Sequence, residues 1–162
     1  MQDQGERGLA QLRQGLGALL ATGQTLSRPV CLLLLAEAAE HTGQVEVGQR
    51  LQAEALAAFE ASERGDMLTE AYRLQGAFLL RQAVPDVAQA EACFQQALAI
   101  AHRQQAKAWE LRVATSLSRL WRQQGKSIEA YELLAPVYGW FTEGFDTMDL
   151  QEAKSLLEEL EG

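Results

Sequence analysis

Cysteine is scarce in this chain, and the other absences around it narrow the function before any motif is considered. Only Cys31 and Cys93 occur, more than sixty residues apart and both within helical patterns. Nothing supports a disulfide or a metal pair between them, and two buried, reduced thiols in a cytoplasmic protein are the expectation. Long hydrophobic runs are missing too. The longest, residues 30–36, falls far short of the roughly 20 apolar residues that cross a bilayer. No basic segment leads into an apolar one as a secretion signal would. Positive charge is in deficit: 14 Lys and Arg against 22 Asp and Glu leave a formal net charge of −8. That balance speaks against a nucleic-acid binder, because phosphate contact needs a basic footprint. Catalytic motifs are lacking as well, with no G-x4-G-K-S/T, H-E-x-x-H, G-x-S-x-G or paired C-x-x-C. Gly15 and Gly17 lie inside a helical pattern with no preceding strand, which suits close packing better than a phosphate loop. His41 and His102 each fall near a helix C-terminus, where an imidazole meets the negative end of the dipole as a cap or surface group. The expectation is a protein that is not an enzyme, has no cofactor or metal, and has no nucleic-acid or membrane partner.

What the chain does have is a repeat. The cluster Ala90-x3-Phe94-x2-Ala97-Leu98 returns 40 residues later as Ala130-x3-Leu134-x2-Val137-Tyr138. It is preceded by 42 residues as Gly48-x3-Gln52-x2-Ala55-Leu56, and by a further 40 as Gly8-x3-Leu12-x2-Gly15-Leu16. A second cluster, centred on a small residue (Ala36, Gly76, Ser118), follows Gly15, Ala55 and Ala97 at an offset of 21 each time. A constant offset within a period of 40–42 residues marks a helical solenoid, in which one unit cannot bury its apolar face and stacks on the next.

Helix formers fill the spaces between the punctuating glycines and prolines, and the patterns predict eight helices. They run over about 6–22, 28–42, 45–61, 67–82, 87–104, 107–124, 127–141 and 148–160. Gly23, Gly43, Gly65 and Gly125 stand where a left-handed residue ends a helix. Asp86 followed by Gln89 reads as a capping box after Pro85, and Ser27, Asp66, Ser127 and Thr147 read as N-caps. With no β-alternation and no long linker, residues 1–162 read as one domain. It divides into a half unit at 6–22, units at 28–61, 67–104 and 107–141, and a capping helix at 148–160. The opening half unit lacks its first helix, so the N-terminus reads as cut from something longer. Its apolar side (Leu9, Leu12, Leu16, Leu19, Leu20) then offers a dimerisation face. The acidic last helix reads as a true end cap.

In the third unit the helices read Ala114-x2-Leu117-Ser118-x2-Trp121 and Ala130-x3-Leu134. In the second they read Tyr72-x2-Gln75-Gly76-x2-Leu79 and Ala90-x3-Phe94, and in the first Leu32-x2-Leu35-Ala36-x2-Ala39 and Gly48-x3-Gln52. This resembles the tetratricopeptide repeat (TPR), whose pattern is a large residue, Leu-Gly, an aromatic, then Ala-x3-Phe. Several departures stand out. The period exceeds the usual 34, Gln75 and Gln52 are polar where apolar residues belong, the closing proline is missing, and Gly76 to Ala90 is 14 residues against 12 elsewhere. The resemblance implies an all-α, right-handed solenoid of helical hairpins that binds other proteins. The stretch from Ala90 to Leu160, with Leu134-Ala135-Pro136-Val137-Tyr138-Gly139-Trp140-Phe141, is also similar to the C-terminal repeat region of bacterial signalling proteins. In those, a class III adenylate/guanylate cyclase or other output domain precedes an ATPase module. That likeness implies a regulatory tail and carries over no catalytic residue.

Aromatic residues cluster late: Trp109, Trp121, Trp140, Tyr138, Phe141 and Phe145. Core packing is the default for them, with Trp140 or Phe145 as an exposed anchor. Charge is the stronger functional signal. Between Arg103 and Lys126 lie six basic residues and one acid, Glu110. Arg112, Arg119, Arg122 and Lys126 fall within about 80° of one another on a helical wheel. In the TPR register Arg112, Arg119 and Arg122 line the concave groove, Arg73 and Arg81 occupy matching places one unit earlier, and Glu37, Glu40 and His41 precede them. Two readings follow. Either these arginines grip an acidic partner segment through bidentate contacts, or they pair internally with Glu152, Glu158 or Glu159 of the last helix. The carboxylate clamp of chaperone-binding TPR proteins is excluded, since it uses asparagine and this chain has none.

Overall fold

The computed structural model describes residues 2–22, 28–61 and 67–162. Among them are eight α-helices and no strand: α1 (Gln2–Ala21), α2 (Arg28–His41), α3 (Val45–Ala61), α4 (Leu68–Leu80), α5 (Val87–Arg103), α6 (Lys107–Gln123), α7 (Ser127–Gly139) and α8 (Met148–Glu161). The helices pack as the hairpins α2/α3, α4/α5 and α6/α7, and each hairpin packs on the next through α3/α4 and α5/α6. The first helices of successive units also touch, α2 on α4, α4 on α6 and α6 on α8. The last helix therefore continues that row. Helix α1 begins four residues before the expected 6, because Gln2 to Gly5 precede the first apolar position and carry no periodic signal.

Three core clusters join residues from neighbouring hairpins, the physical reason the hairpins stack. Leu32, Leu33 and Ala36 of α2 meet Ala55 and Phe59 of α3 and Ala71, Leu74 and Phe78 of α4. Phe94 and Ala97 meet Val113, Leu117 and Leu120, and Leu111, Ala114, Leu134 and Val137 meet Leu150, Ala153 and Leu156. Close approach requires glycine at two points. A Cβ on Gly76 would stand 2.7 Å from Cε1 of Phe94, and one on Gly48 2.6 Å from Cε1 of Phe78. Two buried polar side chains staple helices together. The Gln52 amide donates to the Ala71 carbonyl at 2.8 Å, and the Ser118 hydroxyl to that of Ala130 at 3.0 Å. Gln52 thus sits where an apolar residue was expected and is satisfied there.

Three tight turns share one geometry. In α2–α3, α5–α6 and α6–α7 the N–H of Gln44, Ala106 and Lys126 reaches back to the carbonyl of Ala39, Ala101 and Trp121 at 2.9, 3.0 and 2.8 Å. This six-to-one closure needs a left-handed residue. Gly43 (φ 74°) and Gly125 (φ 78°) supply it in two turns, but Gln105 (φ 52°) supplies it in the third, at a backbone cost of about 1–2 kcal/mol. The Gln89 N–H donates to Asp86 Oδ1 at 3.0 Å, so Asp86 caps α5, but the return half of the expected box is replaced by a bond from the Asp86 N–H to the Leu79 carbonyl at 3.2 Å. Ser127 is instead the first residue of α7, whose N-cap is Lys126, and Thr147 caps α8 without a side-chain bond. Gly23, Gly65, Ser27 and Asp66, and the side chains of Leu9, Leu12, Leu16, Leu19, Leu20, Glu40 and His41, lie outside the described residues.

Candidate partner-binding groove

The row α2–α4–α6–α8 presents one continuous face. A cavity of about 270 Å³ draws its lining from all four helices: Glu37, Arg73, Arg81, Arg112, Thr115, Ser116, Arg119, Met148, Asp149 and Glu152. Four of the five arginines singled out from sequence line this cavity, which makes it the candidate groove. The fifth, Arg122, lines an adjoining cavity of about 400 Å³ between α6 and α8, shared with Arg119, Met148, Glu152 and Glu159. Lys126 does not join them, because α6 ends at Gln123 and Lys126 sits in the following turn.

Glu70, in the first turn of α4, was not anticipated as part of this face, yet it anchors it. Its carboxylate is 5% exposed and accepts from Arg73 Nε at 2.8 Å and Nη2 at 2.6 Å, a two-pronged pair within one helix. Arg112 lies beside it. Its Nη1 is 3.3 Å from Glu70 Oε1, its Nη2 3.8 Å from Glu37 Oε1 and its Nε 3.4 Å from Asp149 Oδ1. Its guanidinium also stands 5.5 Å from the Trp109 ring centre. Farther along α6, Arg119 Nη2 donates to Glu152 at 3.0 Å and Arg122 pairs with Glu159. Arg81 ends α4, its N–H bonded to the Phe78 carbonyl at 3.1 Å. The basic stripe therefore faces counter-charges from α2, α4 and α8, and the acidic last helix supplies three of them.

Neither the protein-family models nor the curated proteins give a match to this sequence. Solved structures do. BtubC (BKLC) from P. vanneervenii superposes with a TM-score of 0.76 at 18% identity, covering 96% of this chain. This chain spans 65% of the length of BtubC. A Podosopora anserina protein described as a putative kinesin light chain with nearly identical TPR-like repeats superposes at 0.67, with 21% identity over 98% of this chain and 86% of its own. A second structure of that protein, a variant form, superposes at 0.68. The fold is a TPR-like helical solenoid. None of these three is a cyclase or an ATPase, so the likeness to the tails of such proteins gains no support.

The remaining candidates of this TPR-like chain are quickly placed. Phe141 packs beside the last core cluster, whereas Trp140 and Phe145 are exposed. Cys31 and Cys93 are both free thiols, with Cys93 buried. His102, half exposed in the last turn of α5, has its Nε2 2.8 Å from Glu110 Oε1. Among the described residues no group of three metal-ligating side chains converges, and no helix is long and apolar enough to cross a membrane.

Proposed function

We propose that this TPR-like solenoid is a non-enzymatic protein-interaction module whose groove grips an acidic partner segment. The observation that carries the reading is Arg112. Its guanidinium offers five donors in a rigid fork, yet its three carboxylate neighbours stand at 3.3, 3.4 and 3.8 Å on three different helices. No one of them holds it in the two-pronged way that Glu70 holds Arg73. A partner carboxylate can take that position. The pairs Arg119–Glu152 and Arg122–Glu159 lie at the rim with side chains near half exposure, where an ion pair contributes about 0–1 kcal/mol. Exchanging them for a partner's acids costs little, because each arginine trades one carboxylate for another.

The test is capture of partner from a lysate of the source organism, run across salt concentrations with wild type, Arg112→Lys and Arg119→Glu/Arg122→Glu. Arg112→Lys keeps the charge and loses the fork, so capture should fall while the fold persists. The double reversal should weaken capture mainly by slowing association, with the loss shrinking as salt rises. Lowered melting temperature with undiminished capture would leave a structural ion-pair face in place of a binding groove.

A further inference from the structure

We propose that the recess at the α5–α6 turn is a second docking site, separate from the groove, for an uncharged polypeptide stretch carrying one apolar side chain. The recess measures about 600 Å³ and is lined by His102, Gln105, Lys107, Glu110 and Trp140. Its charged groups consume one another. The buried Glu110 carboxylate receives Lys107 Nζ at 2.7 Å and His102 Nε2 at 2.8 Å. A ligand with net charge therefore finds no unmatched counter-charge there.

Two features remain for a neutral ligand. Trp140 is 58% exposed, although such a large ring is ordinarily well covered. It is also held in place, edge-to-face against Phe141 at 5.2 Å and with Lys107 5.9 Å from its ring centre. A rigid, exposed tryptophan is the residue type that anchors interfaces. The second feature is Gln105. The two other turns of the same geometry use glycine at the left-handed position, and only here does a side chain occupy it, at φ 52°. Strain of this kind points to a use for the side chain that causes it. An amide both donates and accepts, and so matches a single peptide group. A pyranose ring would also stack on tryptophan, but its several hydroxyls need more fixed partners than the one amide that Glu110, Lys107 and His102 leave over.

The proposal is tested by titrating isotope-labelled protein with N-acetyl-leucine methylamide and, separately, with methyl glucoside. The blocked leucine should shift the Trp140 indole and Gln105 amide signals and leave Trp109 and Trp121 unmoved. Gln105→Gly should raise Tm by about 2–4 °C through relief of the left-handed strain, and weaken the blocked leucine by about fivefold through loss of one hydrogen bond. Each of three results overturns it: shifts with the glucoside alone, shifts with neither probe, or a Gln105→Gly protein that binds as wild type.

Discussion

Replacing Gly76 by alanine tests the closest helix approach in the stack. The new methyl would lie 2.7 Å from Phe94 Cε1 and 3.0 Å from Cδ1 and Cζ, where carbon atoms prefer roughly 3.5–4.0 Å. The ring must therefore retreat by roughly 1 Å. It has little room to do so, because Phe94 is buried against Ala97, Val113, Leu117 and Leu120. Overpacking of this kind costs about 1–3 kcal/mol, and alanine returns about 1 kcal/mol of helix propensity against it. A net loss of up to about 2 kcal/mol is expected, which lowers Tm by up to about 8 °C for a chain of this size. Urea and thermal unfolding followed by circular dichroism would measure it. Gly17 is the control, since nothing lies within 4 Å of a Cβ there, and Gly17→Ala should stabilise by about 0.5–1 kcal/mol. Phe94→Leu placed on Gly76→Ala should couple with it by at least about 0.5 kcal/mol. If Gly76→Ala raises Tm as Gly17→Ala does, the helices are not in contact as described.

Further expectations concern polar and titrating groups. Ser118→Ala removes the bond to the Ala130 carbonyl and should cost about 0.5–1.5 kcal/mol. Glu70→Gln leaves Arg73 and Arg112 short of charge in a mostly covered site. It should cost about 1–3 kcal/mol, read as a lowered urea midpoint. Alkaline pH should destabilise the fold. Burial pushes the Cys93 thiol above its ordinary 9.0, and burial with the Glu60 hydrogen bond pushes the Tyr72 phenol above 10.0. Both groups bind their protons more tightly when folded. Their contribution is therefore complete below the ordinary values and lost as pH rises through the raised ones. The urea midpoint should fall from about pH 9 upward, less so in Cys93→Ala.

Much of this fold was readable because the repeat stated it more than once. The spacing of Ala90, Phe94 and Ala97 recurs, so the helix pairs and the tight contact at Gly76 could be placed from the residues alone. Gly43 and Gly125 announced their turns by residue type. Gln105 did not, since nothing in a glutamine signals a positive φ, and only the matching hydrogen bonds expose it. Gln52 read as a flaw in the apolar pattern because its partner, the Ala71 carbonyl, is a backbone atom with no sequence signature. In the groove, the helical wheel grouped Lys126 with Arg112, Arg119 and Arg122, although Lys126 lies past the end of α6 at Gln123. Glu152 and Glu159 stood among the acids offered as internal partners, but pairing with Glu37, Glu70 and Asp149 depends on how far α2, α4 and α8 lean toward α6. That is a property of the superhelix and not of any one helix.

Arg112 has a consequence for the array as a whole. In an ideal stack each unit senses only the one beside it, so units can be inserted, deleted or melted piecemeal. Here one guanidinium on the third unit touches Glu37 on the first, Glu70 on the second and Asp149 on the helix that follows. A unit inserted between α2 and α6 would carry Glu37 out of reach, and a deletion there would overshoot it. The number of units across this span is thus part of the design and not a free variable. Loosening α8 removes one of the charges that hold Arg112 in place and so alters its grip on α2. Charges from α2, α4 and α8 thereby bear on a single side chain.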